Sequence, residues 1–133
     1  MQDERDVQLC SVQVQLSLLS RDPTLQGNVI DVARELAVDV IGYSPLCLGL
    51  LTGKYRLQGP LPKEFPRRAL FKRLLRGSGE LFAELQAVSN ETHSTMAQVA
   101  TAWCLSKDVF VLSGVRNEAQ AIELAGSDVQ LSN

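Results

Sequence analysis

Histidine occurs once in this 133-residue chain, at His93. A histidine-rich metal site is therefore excluded, and a Ser-His-Asp triad would have to use that one residue. Cysteine is nearly as scarce. Cys10, Cys47 and Cys104 are an odd set without CxxC or metal-like spacing, which reads as reduced thiols and not as a disulfide framework. No apolar run approaches the ~20 residues needed to span a bilayer. Neither GxGxxG nor GxxxxGK followed by Ser or Thr occurs, so the Rossmann fingerprint and the P-loop are both missing. The opening MQDERDVQLC lacks the apolar core of a signal peptide and the acid-poor, Arg- and Ser-rich look of a transit peptide. The expected location is the cytoplasm, or a plastid if a targeting segment precedes Met1. A net charge of −2 gives no global reason to expect nucleic-acid binding or membrane insertion.

What is present suits one soluble α/β domain, with 45% hydrophobic and 21% charged residues. Ser11 to Leu19 alternates Val12, Val14 and Leu16 with Gln13, Gln15 and Ser17, the period of a strand. Asn28 is placed to cap a helix whose apolar positions Val29, Ile30, Ala33 and Leu36 share a face. Val38 to Tyr43 reads as a buried strand. A long connection from Ser44 to about Pro66 follows, with a short helix over Ala69 to Arg76. Leu81, Phe82, Leu85 and Val88 mark a helix over Glu80 to Asn90. Thr95 and Gln98 form a capping box ahead of Met96, Val99, Ala100, Trp103 and Cys104, whose spacing makes them core positions. Val109 to Leu112 is a third strand. Asn117 caps a last helix, with Gln120 in capping-box position, that runs to about Gly126. Strands alternating with helices imply parallel pairing through right-handed crossovers. Three such strands leave open edges, as a portion of a larger sheet would.

Candidate chemistry gathers where strands end. The second strand delivers Tyr43, Ser44 and a glycine-spaced loop ending on Lys54, and the third delivers Ser113, Gly114 and Arg116 ahead of a helix. In a parallel sheet these ends point the same way, so the two loops can converge on one anionic ligand. Glycine allows close backbone approach, the guanidinium of Arg116 suits a phosphomonoester, and Tyr43 can stack on a heteroaromatic ring. Eight of the thirteen basic residues lie between Lys54 and Arg76, with Glu64 the one acid among them. That segment either collects anionic ligand groups or forms a solvated surface.

The runs SVQVQLSLLSR, ELAVDVIGYSPLCLGLLTGKY, TMAQVATAWCL and FVLSGVRNEAQAIELAG resemble the C-terminal portion of aldo-keto reductases, in the branch that includes potassium channel β subunits and plant and bacterial relatives. The resemblance covers about Ser11 to Ser132 in family order. It implies that the fold is the C-terminal portion, about strands 6–8 with their helices, of a (β/α)8 TIM barrel. Residues 1–133 would then be a partial NADP-dependent oxidoreductase domain whose barrel lacks its N-terminal half. By the same resemblance, Gln13 meets the nicotinamide carboxamide and Tyr43 stacks on the nicotinamide ring. Ser44, Pro45, Leu46 and Cys47 run along the pyrophosphate, Lys54 closes over it, and Arg67 or Arg68 straps it. Gly114 and Arg116 receive the adenosine 2′-phosphate, which implies NADPH over NADH, while Gln120 and Glu123 meet the adenine. Leu124 replaces a usual asparagine, and Leu16 stands where many relatives carry an aromatic. The family's catalytic Asp, Tyr, Lys and His belong to the first half of the barrel. No catalytic residue and no metal ligand is therefore assigned here, and Lys54, Tyr55 and His93 do not take those roles.

Two functions follow. One is an NADP(H)-dependent oxidoreductase reducing a small carbonyl substrate, an aldehyde or ketone, with this chain supplying cofactor contacts alone. The other is a non-catalytic NADP-binding subunit that regulates or associates with a protein partner. An unrelated α/β fragment is the third reading.

Overall fold

The computed structural model describes residues 8–131. Met1 to Asp6, expected as a polar lead-in, lies outside them. Three parallel strands, β1 (Ser11–Gln15), β2 (Asp39–Tyr43) and β3 (Phe110–Leu112), form one sheet in the order β1-β2-β3. Helix α1 (Val29–Glu35) joins the first pair. Helices α2 (Phe65–Gly77), α3 (Gly79–Glu91) and α4 (Met96–Leu105) stand between the second pair, and α5 (Glu118–Ala125) closes the order. Register places Gln15 beside Tyr43 and Tyr43 beside Leu112, so all three strands end at one level.

The sheet has two unlike faces, because side chains alternate along a strand. Val12, Val14, Val40 and Val111 pack with Ile30, Ala33 and Cys104 against the helices. Gly42 belongs to this face, where a Cβ would approach Leu16 to 3.1 Å, so a larger residue would push the strand off its neighbour. The other face carries Gln13, Gln15, Ile41, Tyr43, Phe110 and Leu112, and Phe110 is 63% exposed there. The buried run expected from Val38 to Tyr43 is thus half-buried, alternating from exposed Asp39 to exposed Tyr43, since helices cover one face only. A second cluster lies beyond the strand ends, where Leu50, Leu51 and Phe71 are fully buried with Leu85, Met96 and Val99. Helix α4 contributes to both clusters, with seven buried residues among its ten.

Local rules place most boundaries and miss a few. Strand β1 stops at Gln15, not Leu19, because Ser17 and Ser20 exchange backbone hydrogen bonds in a turn. Helix α2 starts at Phe65, four residues earlier than its pattern predicts. Pro66 sits inside its first turn, where a missing N–H removes no helical bond. The preceding loop is not structureless, since Leu50–Thr52 forms one 3-10 turn. Leu36, expected on the apolar face of α1, is its C-cap and 67% exposed. Asn28 and Asn117 both cap as expected, and Thr95 with Gln98 makes the full capping box. Gln120 does not complete one with Asn117, because its side chain accepts from the N–H of Arg116 instead, at 2.8 Å.

Candidate functional site

Two loops leave the level ends of β2 and β3 and enclose a cleft of about 680 Å³. Ser44, Leu46, Leu48, Gly49, Thr52 and Lys54 form its first wall, and Gly114, Arg116, Gln120, Glu123 and Leu124 form the second. Tyr55, Arg67 and Ala97 complete the lining. Of the residues expected to hold a cofactor, the fold therefore joins Ser44, Leu46, Lys54, Gly114, Arg116, Gln120 and Glu123 in one cavity, although Lys54 and Gly114 stand 60 positions apart in the sequence. Lys54, Arg67 and Arg116 face one carboxylate, that of Glu123, so the lining is cationic in a chain whose net charge is −2.

Four expected residues lie elsewhere. Pro45 and Cys47 are buried beneath the first wall, so they can shape the loop but present little side chain to a ligand. Burial also pushes the Cys47 thiol above its ordinary pKa, which keeps it neutral and unreactive. Gln13 and Tyr43 sit on the open face of the sheet, both exposed, beside the cleft and not inside it.

The first wall is built on unusual backbone. Ser44 (φ 59°), Cys47 (φ 46°) and Leu48 (φ 57°) adopt the left-handed region alongside Gly49 (φ 85°) and Gly53 (φ 75°). Each non-glycine residue there costs about 1–2 kcal/mol, so something must hold the loop. Below it, Leu50 and Leu51 are anchored in the core. Across it, Arg67 Nη2 donates to the Leu48 carbonyl at 2.6 Å. The same guanidinium lies 5.7 Å from the ring centroid of Tyr55 and 5.2 Å from that of Phe71, whose two rings meet edge to face. Arg67 Nε is buried without a hydrogen-bond partner among the described residues, beside the rings of Tyr55 and Phe71.

The second wall is more local. Asn117 caps α5 by accepting from Gln120 N–H at 3.0 Å, while Gln120 Oε1 holds the backbone of Arg116. That pair fixes the main chain from which the Arg116 side chain projects into the cleft, and it leaves the amide N–H₂ of Gln120 free of this contact. Arg67 is the residue that sequence reasoning located only loosely, since its partner lies 19 residues away. Leu48, Thr52 and Ala97 were not assigned to the site and nothing in their local pattern marks them, whereas Gly49 belongs to the glycine-spaced loop expected to approach a ligand. Arg68 is exposed and absent from the lining. Among the described residues, no three His, Cys, Asp or Glu side chains converge to hold a metal ion.

Comparison with known proteins gives this geometry a context. Residues 1–132 match the model of the aldo/keto reductase family. The chain is 41% identical to a chloroplastic pyridoxal reductase of Arabidopsis thaliana over 113 residues, covering 85% of this chain and 30% of that protein. It is 32% identical to an aldo-keto reductase of Strobilurus tenacellus, covering 66% of this chain and 28% of the other. In fold it is similar to a glycerol dehydrogenase of Gluconobacter oxydans, with a TM-score of 0.59 at 22% identity, covering 87% of this chain and 37% of that one. The chain thus spans about a third of the length of the relatives it matches.

Proposed function

We propose, from the premise that this chain belongs to the aldo/keto reductase family, that it carries the NADP(H)-binding side of an oxidoreductase reducing aldehydes or ketones to alcohols. On this reading its strands are the sixth to eighth of a (β/α)8 barrel. The groups that move protons then lie on strands that residues 1–133 do not supply.

The observation that carries the proposal is the cationic cleft, which joins Lys54 and Arg67 on one wall to Arg116 on the other. The residues fit a dinucleotide phosphate. Lys54 and the guanidinium of Arg67 would hold the pyrophosphate against the glycine-spaced loop. Arg116, its backbone fixed by Gln120, would take the 2′-phosphate, with Gln120 and Glu123 turned to the adenine. Gln13 and the exposed ring of Tyr43 would receive the nicotinamide end on the open sheet face. Gly114, Ser44 and Leu46 would line the path, with Pro45 and Cys47 supporting it from below. Bound NADPH would supply the hydride to a carbonyl carbon, and an acid on the remaining strands the proton.

The relative's description as a chloroplastic pyridoxal reductase supports a carbonyl substrate and, for location, the plastid alternative to the cytoplasm. The test is to titrate the chain with NADPH and NADH, then incubate it with NADPH and a panel of aldehydes. Binding that favours NADPH without turnover is expected. Equal affinity for the two would refute the 2′-phosphate assignment, and turnover would show that the acid–base groups are misplaced.

A further inference from the structure

Helix α5 carries three of the five residues of the second wall, yet none of its residues is buried. Apolar packing alone cannot set its distance from the rest of the molecule. The side chain of Gln98, on α4, does so by using both ends of its amide. Oε1 accepts from Thr95 N–H at 2.9 Å, completing the capping box of α4. Nε2 donates to the carbonyl of Glu123 at 2.9 Å, 25 residues away. The approach is close: a Cβ at Gly126 would lie 2.7 Å from Nε2, so glycine at that position leaves the amide its room. On its other side α4 supports the opposite wall, because Met96, Val99 and Ala100 pack with Leu50 and Leu51.

We infer that Gln98 is a positioning residue that sets the span between the loop wall and the α5 wall, and so the fit of a ligand that reaches across both. The inference rests on the cofactor reading above. Gln98→Glu separates the two jobs of the amide. A glutamate at this position is a preferred capping-box partner and still accepts from Thr95 N–H. It has no proton for the Glu123 carbonyl, so the tether alone is lost. Gln98→Ala removes the acceptor for Thr95 N–H and the tether together, and leaves the bond from the backbone N–H of residue 98 to Thr95 Oγ1.

The probes are NADPH, which spans both walls, and adenosine 2′-monophosphate, which needs the α5 wall alone. For Gln98→Glu, NADPH affinity should fall about fivefold to tenfold, the worth of one hydrogen bond. Affinity for adenosine 2′-monophosphate should change less than about twofold, with the thermal midpoint nearly unchanged. Amide exchange should quicken in α5 and not in α4. A general loss of structure would weaken both probes alike. Unchanged NADPH affinity, equal loss for both probes, or unaltered exchange in α5 would each overturn the inference while leaving the cofactor reading in place. A wild-type chain that ignores NADPH overturns that reading, and the role of Gln98 with it.

Discussion

Reversing one charge at Arg116 tests the second wall most directly. The side chain is exposed and lines the cleft, while its backbone N–H is held by Gln120. Arg116→Glu should therefore leave the fold intact and change only what the cleft attracts. At about 4 Å, each unit-charge pair in water-like surroundings is worth about 1 kcal/mol. A phosphomonoester carries roughly −1.5 to −2 at neutral pH. Exchanging attraction for repulsion, with screening over about 8 Å at physiological salt, costs about 2 kcal/mol. That is about a thirtyfold loss for NADPH. NADH lacks the 2′-phosphate and should lose less than about threefold. Fluorescence titration of the protein with each nucleotide at 0.15 M salt reads the ratio, and raising the salt to 1 M should shrink it. Equal losses for NADPH and NADH would refute the placement of the 2′-phosphate at Arg116.

Other substitutions probe the loop and the core. Gly53→Ala should cost about 2–4 kcal/mol, since φ is left-handed and a Cβ would run into the Met96 sulfur. Gly27→Ala, equally left-handed but in open space, should cost about 1–2 kcal/mol; urea denaturation giving equal losses would refute the packing argument. Burial raises the Cys104 thiol from its ordinary 9.0 to about 12, against a lesser opposing pull from Lys107. At pH 8 its thiolate is then about a thousandfold rarer than that of an ordinary thiol, so a disulfide reagent should label exposed Cys10 quickly and Cys104 only on unfolding. The sign for stability follows, because the unfolded thiol ionises first: the contribution of Cys104 is intact below about pH 9 and is lost as pH climbs toward 12. Finally, among the described residues β1 and β3 are unpaired along their outer edges, and Phe110 and Leu112 are exposed on the open face. The isolated chain should self-associate at micromolar concentration, and a chain that is monomeric by analytical ultracentrifugation and melts cooperatively in a thermal scan would contradict this.

The parts of the fold legible in the sequence are those encoded locally. The alternation of Val12 and Val14 with Gln13 and Gln15 marks β1 because it follows from strand geometry alone. Asn28, Thr95 with Gln98, and Asn117 mark helix starts because a cap bonds within three residues of itself. Leu36 misleads for the same reason: periodicity continues on paper after the helix has ended in a turn at Ala37 (φ 53°). The convergence of the Lys54 and Arg116 loops was legible from parallel strand order. Arg67 was not, since its role depends on a carbonyl in another element and on rings brought beside it by the tertiary fold. The contact of Gln98 with Glu123 was hidden likewise, because Gln98 already had a local partner that explained its presence.

Helix α4 stands beneath both walls, yet among its residues only Ala97 lines the cleft. A mutational scan scored by cofactor retention would therefore return many hits at positions that no ligand ever meets. Met96, Val99 and Ala100 would mimic loop-wall contacts, and Gln98 would mimic an α5 contact. Reading such a scan as a contact map would draw the site one layer too deep. The corrective is a second score for thermal stability, since a true lining residue such as Lys54 should separate the two scores and a core residue such as Met96 should not. Gln98, a tether outside the core, separates them too and is told apart by faster exchange in α5.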